Sequence, residues 1–245
     1  FKINYSIGAV ANGIKTDTFT FFLLFFYSNI IGLNPALAGS AIFIALCVDA
    51  VTDPLMGTIS DRTNSSYGRR HPFMMISFIP MSLGYIFLFA PRQDWDMSQS
   101  DLFIWMTIFT VITRIGMTLF DIPHRAFGGE ITKNYKERTI LMSWREMFGW
   151  VAGLSNAFLG YGIFFTSTSE YPQGQLNPDA WFPFAVTGAI FMIISVLYSS
   201  LSTKGEIKSL SKWSGSISLS DIFNELKIAI GNKSFLIFFF GNLFL

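Results

Sequence analysis

The stretch Asp49-Ala-Val-Thr-Asp53-Pro-Leu-Met-Gly57-Thr-Ile-Ser-Asp61-Arg62 decides the fold, because in it a long apolar run meets charge twice. Residues 37–48, just before it, carry no ionisable group except the thiol of Cys47. After it comes the polar Thr63-Asn-Ser-Ser-Tyr-Gly68-Arg69-Arg70, and residues 73–90 are again free of charge. About 20 mostly apolar residues suffice to cross a bilayer as a helix. The quoted stretch therefore reads as the end of one membrane helix and the start of a charged turn into the next.

Working outward, the same reading gives six apolar segments, at 5–33, 37–59, 73–90, 102–123, 141–165 and 181–201, with a seventh starting near Phe235. The runs are continuous rather than ten-residue stretches of alternating polarity, so helices are expected and not barrel strands. The first segment is too long and too polar inside for a signal peptide. Composition agrees. Of 245 residues, 51% are hydrophobic and only 13% charged, about half the charge of a soluble domain. A net charge of +1 leaves no basic surplus for phosphates, so nucleic acid is not an expected partner. A single cysteine allows neither an internal disulfide nor a cysteine metal cluster. The chain opens on Phe1 and closes inside the seventh apolar run, and is read as a fragment: a six-helix bundle over 1–202, a cytoplasmic linker over 203–234 and a truncated seventh helix over 235–245.

Orientation follows from the basic residues of the short loops. Arg62, Arg69, Arg70, Lys133, Lys136, Arg138, Lys204, Lys208, Lys212, Lys227 and Lys233 follow the even-numbered segments, whereas the opposite loops hold Arg92 alone. The N-terminus and the even exits are thus expected in the cytoplasm, in an inner or plasma membrane. Within 220–233, Ile222, Phe223, Leu226 and Ile230 recur at helical spacing, which predicts an amphipathic helix on that face.

Ionisable groups inside spans are costly and mark pathways. Lys15, Asp17, Asp49, Asp53, Arg114, Asp121, Arg125 and Arg145 form a set balanced in sign, which permits mutual pairing. Asp49 and Asp53 lie one helical turn apart, so they repel, and a proton or a small cation is expected between them. Oxygen-rich surroundings suit a hard cation, with Thr52 and Thr118 as added donors. Asp121 and Arg125 flank Pro123, which favours a bend and a polar lining; a plain salt bridge is the alternative. Asp17, four residues after Gly13, has room beside it, or else pairs with Arg125 or Arg145. Trp144, Trp150 and Tyr161 are either ligand-stacking or packing aromatics. His71, in a loop, and His124 lack a placed nucleophile, so no enzyme is expected.

Gly57 through Arg70 resembles the Gly-x-x-x-Asp-Arg…Gly-Arg-Arg loop of the major facilitator superfamily. Together with Asp49–Gly57, Gly68-Arg-Arg-His-Pro-Phe73, Phe26-Tyr-Ser-Asn-Ile-Ile-Gly-Leu33, Thr118-Leu-Phe-Asp-Ile-Pro-His124 and Tyr135-Lys-Glu-Arg-Thr139, it is similar to the glycoside–pentoside–hexuronide:cation symporters of the melibiose permease type. The resemblance implies an all-α membrane fold, twelve helices in two six-helix bundles, of which this chain is the N-terminal one plus the start of helix seven. It implies cation-coupled symport of a sugar, glycoside or hexuronide, with no cofactor beyond Na+, H+ or Li+. Asp49, Asp53, Thr52, Thr118 and Asp121 would serve the cation, with Asp49 and Asp53 as the sodium ligands if sodium is used. Asp17, Lys15, Asp121, Arg125, Arg145 and Trp144 would serve the substrate. Gly57, Asp61, Arg62, Gly68, Arg69 and Arg70 would gate the cytoplasmic side. The helix-one acid of melibiose-type members falls at Gly13, the tryptophan after the helix-four motif at Arg125 and the helix-two asparagine at Thr52. The added arginine favours a substrate bearing a carboxylate. A lipid or lysolipid carrier on the same fold is the strongest rival, ahead of a seven-helix receptor and an intramembrane aspartyl protease.

Overall fold

A computed structural model describes residues 1–132, 134–209, 231–233 and 237. Among these the secondary structure is helical, without strands. Five helices are long and apolar enough to cross a membrane: Pro35–Arg62, His71–Leu88, Gln99–Ile131, Tyr135–Phe164 and Pro178–Glu206. They correspond to the second to sixth segments, and the chain is a multi-pass membrane protein. The first segment is also helical, but in pieces: Lys2–Ser6, Ala9–Asp17, Leu23–Phe25 and two π-turns, Thr18–Phe22 and Phe26–Ile30. The junctions at Ile7, Thr18, Leu23 and Phe26 stay in the right-handed helical region. The expected linker begins with a 3₁₀ turn, Lys204–Ser209. The amphipathic helix expected over 220–233 and the seventh helix fall almost wholly outside the described residues.

Local chemistry sets the helix starts. Asn34 accepts from the Ala36 amide, with Pro35 in the first turn, to open the second helix. Ser98 and Asp101 form a reciprocal capping box that opens the fourth. Asn134 accepts from the Lys136 and Glu137 amides to open the fifth. Gly32 and Gly68 have φ of +84° and +77°, left-handed values that favour glycine. Two boundaries differ from expectation. The fourth helix runs eight residues past Pro123 to Ile131, because Phe127 and Gly128 pack beneath the buried Tyr5 ring. His71 opens the third helix instead of lying in a loop, and its Nε2 lies 3.2 Å from Thr203 Oγ1.

The helices pack as an arc in the order fifth, first, sixth, third, fourth, second. Its core is aromatic: Trp181, Tyr85, Phe26, Phe89, Phe120 and Phe184 are fully buried. Tyr27 Oη donates to the Leu88 carbonyl at 2.8 Å, tying the first helix to the third. Without a hydrophobic drive inside lipid, close backbone approach is what holds such helices together. A Cβ on Gly116 would come within 2.3 Å of the Met81 backbone nitrogen, and one on Gly13 within 2.0 Å of the Gly149 carbonyl oxygen. At Gly13 itself the fifth helix comes into backbone contact, and one turn on Asp17 lines a cavity between the first and fifth helices.

One end of the arc is clamped by charge. Arg70 donates to Asp61 Oδ1 at 2.5 Å and to Glu130 Oε1 at 3.0 Å, and Arg69 also bonds Glu130. The ends of the second and fourth helices are thereby joined through the start of the third. Gly13→Ala forces the first and fifth helices apart and is expected to cost about 1–3 kcal/mol, the scale of overpacking. Gly39→Ala, with nothing within 4 Å, is the neutral comparison. Thermal unfolding in detergent should lower the midpoint for the first variant only.

Candidate functional site

The polar centre of the arc is built from side chains that the apolar helices bring together across long sequence separations. A cavity of about 80 Å³ is lined by Asn12 and Lys15 from the first helix, Asp49 and Asp53 from the second, and Arg114, Met117, Thr118, Asp121 and Ile122 from the fourth. The two acids of the second helix face the same cavity but have different partners. Asp49 forms an ion pair with Arg114, and its Oδ1 is buried without a hydrogen bond. Asp53 accepts from Thr118 Oγ1 at 2.6 Å and makes no ion pair among the described residues. Lys15 and Arg114 both lie over the Phe19 ring, at 5.8 and 5.5 Å, so cationic heads approach the cavity beside an aromatic face.

Asp121 sits between two guanidinium groups. Arg145, 1% exposed, donates to its Oδ1, and Arg125, 48% exposed, donates through Nε to Oδ2 at 2.6 Å. The i,i+4 salt bridge of Asp121 with Arg125, weighed as the alternative from sequence, is present. Arg145 also donates to Glu146 Oε1 at 2.6 Å, and Arg125 Nη1 lies 3.6 Å from the same oxygen. The third partner of Arg145 is His124, whose Nδ1 accepts from Nε at 3.5 Å. That bond leaves the His124 proton on Nε2, which donates to the Tyr5 carbonyl at 3.0 Å. Stacking of the imidazole on Tyr5 and Phe120, with ring centroids at 4.2 and 4.8 Å, holds it flat. Asp121 is therefore a fixed anion with its cations already in place.

Asp17 is separate. It faces away from Lys15, is 9% exposed, and accepts from Asn156 Nδ2 at 3.1 Å. The alternative in which it pairs with Arg125 or Arg145 is thus not what the structure holds. Trp144 is partly exposed and lies near Phe148, with centroids 6.2 Å apart, outside the cavity lining. Thr52 is outside it too, its Oγ1 buried without a hydrogen bond. Gly57 and Arg62 lie at the clamped end with Asp61, Gly68, Arg69 and Arg70. Among the described residues, no three His, Cys, Asp or Glu side chains converge in the manner of a multivalent metal site.

Sequence reasoning missed Asn12, Glu130 and Asn156. Glu130 carried a usable signal, an acid ending the fourth helix opposite an arginine-rich turn. Asn12 and Asn156 carried none, since neutral amides in an apolar run look alike whichever way they point.

The family described as MFS/sugar transport protein matches residues 4–245. The chain is 32% identical over 203 residues to an uncharacterized symporter, sll1374, of Synechocystis sp., covering 82% of this chain and 36% of that protein. It is 29% identical to a putative glycoside/cation symporter, YagG, of Escherichia coli, covering 69% of this chain and 43% of the relative. It is 30% identical to the sodium-dependent lysophosphatidylcholine symporter 1-A of Danio rerio, covering 62% and 29%. The chain thus spans between about a third and a half of the length of the bacterial relatives. An all-helical bundle with a charged centre and an Asp–Arg–Glu clamp at one end, matched over nearly its whole length, makes this chain a member of the MFS/sugar transport family, the glycoside–pentoside–hexuronide:cation symporters of the major facilitator superfamily.

Proposed function

We propose that this chain is the N-terminal, six-helix part of a transporter that couples a small cation to the uptake of a glycoside or hexuronide by alternating access. The observation that carries the reading is Asp53: an acid in a charged cavity, inside an apolar bundle, with a hydroxyl for a neighbour and no ion pair among the described residues. A cation bound there, whether Na+, H+ or Li+, has a carboxylate to neutralise and Asp49 Oδ1 within the same lining. Asp121 serves the site indirectly, as the anion that holds Arg125 and Arg145. Arg125 is the exposed one of the two and is assigned to the substrate's carboxylate. Lys15 lines the same cavity and adds a positive charge to its wall.

The N-terminus and the Asp61–Arg70–Glu130 clamp are assigned to the cytoplasm, in keeping with the basic residues of that end. Residues 203–234 are assigned to a cytoplasmic linker and 235–245 to the start of a seventh helix. A bundle partner supplied by a further part of the protein would complete the substrate site, and rocking of one bundle on the other would expose it to either side. Ion and substrate then raise each other's affinity by the same factor. Lysolipid transport is the competing reading, favoured by the Danio rerio relative's name and by the exposed Phe21, Leu154 and Phe158.

Two outcomes are expected in proteoliposomes of the full-length transporter with imposed sodium or proton gradients. Asp53→Asn abolishes ion-driven accumulation of a labelled glycoside while leaving exchange down its own gradient; retained concentrative uptake refutes the assignment. Arg125→Gln raises KM for a labelled glucuronide about tenfold, the scale of one charge-assisted hydrogen bond, with a smaller change for a neutral glycoside. Uptake of labelled lysophosphatidylcholine without any glycoside uptake would select the competing reading.

A further inference from the structure

Arg114, on the fourth helix about two turns before Asp121, reaches across the charged cavity to Asp49 on the second helix. The hydrogen bond between them is made by one nitrogen, Nη1, to one oxygen, Oδ2. Neither partner is used up by it. Among the described residues, Arg114 Nε and Asp49 Oδ1 are both buried without a hydrogen bond. A guanidinium meets a carboxylate best through two parallel bonds, and a buried polar atom left unpaired is costly. The pair is thus a weak form of a strong interaction, and a ligand that satisfies Asp49 better can displace Arg114 from it.

The charges of the site close among themselves. Arg125 and Arg145 answer Asp121 and Glu146, two against two. Lys15 and Arg114 are left to answer Asp49 and Asp53, again two against two. The protein's own charges around the cavity therefore already balance. A monovalent cation that enters adds a positive charge with no counter-charge, inside an apolar bundle where that is expensive. A resident positive charge has to give way. A guanidinium keeps its proton, so Arg114 gives way by moving and not by losing its charge. The ring of Phe19, on the first helix, lies 5.5 Å from the Arg114 Cζ. Its face steadies a cation without taking an oxygen from the site.

We propose that Arg114 is the cavity's tethered counter-ion: its guanidinium holds Asp49 in the ion-free protein, and a coupling cation binds by taking Asp49 from it. Once Arg114 is displaced, both Asp49 oxygens join Asp53 and Thr118 Oγ1 as oxygen donors, the kind a small hard cation needs. Arg114 thereby sets how tightly the ion binds, and its return to Asp49 drives the ion out. A resident cation of this kind keeps the bundle's charge balanced at both stages, with ion and without. The inference rests on the reading of the cavity as the coupling-ion site, and adds the residue that regulates it.

The test reads sodium binding without transport. The thermal unfolding midpoint of the purified full-length transporter in detergent is followed as NaCl replaces choline chloride at constant ionic strength, since an ion that binds the folded protein raises the midpoint in proportion to its affinity. Arg114→Gln should bind sodium at least about tenfold more tightly than the parent, because a positive charge beside the ion is gone. Arg114→Met, which keeps the apolar stem, should do the same and serves if the glutamine variant does not fold. Arg114→Lys, which keeps the charge, should stay within about threefold of the parent. The midpoint without sodium falls in the neutral variants because Asp49 loses its partner, so only the sodium-dependent part is read. Sodium affinity unchanged or weakened in the neutral variants overturns the proposal, as does a lysine variant tightened as much as they are, or the absence of any sodium-dependent shift throughout. Glycoside uptake is measured separately in proteoliposomes. A parent that accumulates no glycoside under an ion gradient fails the symport reading alone, and tighter sodium binding by Arg114→Gln or Arg114→Met still upholds the role of Arg114.

Discussion

Charge inside an apolar bundle has to be answered from within the protein, and this constraint organises everything else in the structure. Lipid offers no counter-ion, so each ionised side chain in the spans needs a partner from another turn or another helix. Arg145 meets it three times, with Asp121, Glu146 and His124. Asp49 meets it with Arg114, two helices apart in sequence. Because these pairs bridge the second, fourth and fifth helices, the polar centre also fixes how those helices stand to one another. The answer is incomplete at Asp53 and Asp17, each held by a neutral donor and making no ion pair among the described residues.

Helix packing and polar pairing act at different seams here. Gly13, Gly149 and Gly153 let the first and fifth helices come close, and Gly116 does the same for the fourth helix against the third. The ion pairs tie the second helix to the fourth and the fourth to the fifth. Small residues and charge thus divide the work of holding the bundle. At the clamped end Glu130 does the corresponding work in water-accessible surroundings, where it gathers Arg69 and Arg70 while Asp61 holds Arg70 from the other side.

What could be read from the sequence was whatever is local. Apolar run lengths gave the spans, the Asn34 and Ser98 caps mark helix starts that short polar clusters already suggest, and the i,i+4 spacing of Asp49 and Asp53 put them on one face. The fourth helix outruns the apolar segment that ends at Pro123, because packing of Phe127 and Gly128 against Tyr5 holds the helix beyond it. Partners could not be read. Asp17 is bonded to Asn156, 139 residues away, rather than to an arginine, and Asp49 to Arg114, 65 residues away. Such choices depend on helix rotation and crossing, which a hydropathy pattern leaves free. The π-turns of the first helix were equally silent, since their composition is that of any aromatic membrane helix.

The internal answering of charge is tested most directly by a double-mutant cycle on Asp49 and Arg114, read by reversible unfolding of the purified transporter in detergent. Each single neutralisation, Asp49→Asn or Arg114→Gln, is predicted to destabilise, and the pair together to recover part of the loss, with a coupling energy of about 1–3 kcal/mol. Losses that simply add, with no coupling between the two positions, would contradict the account.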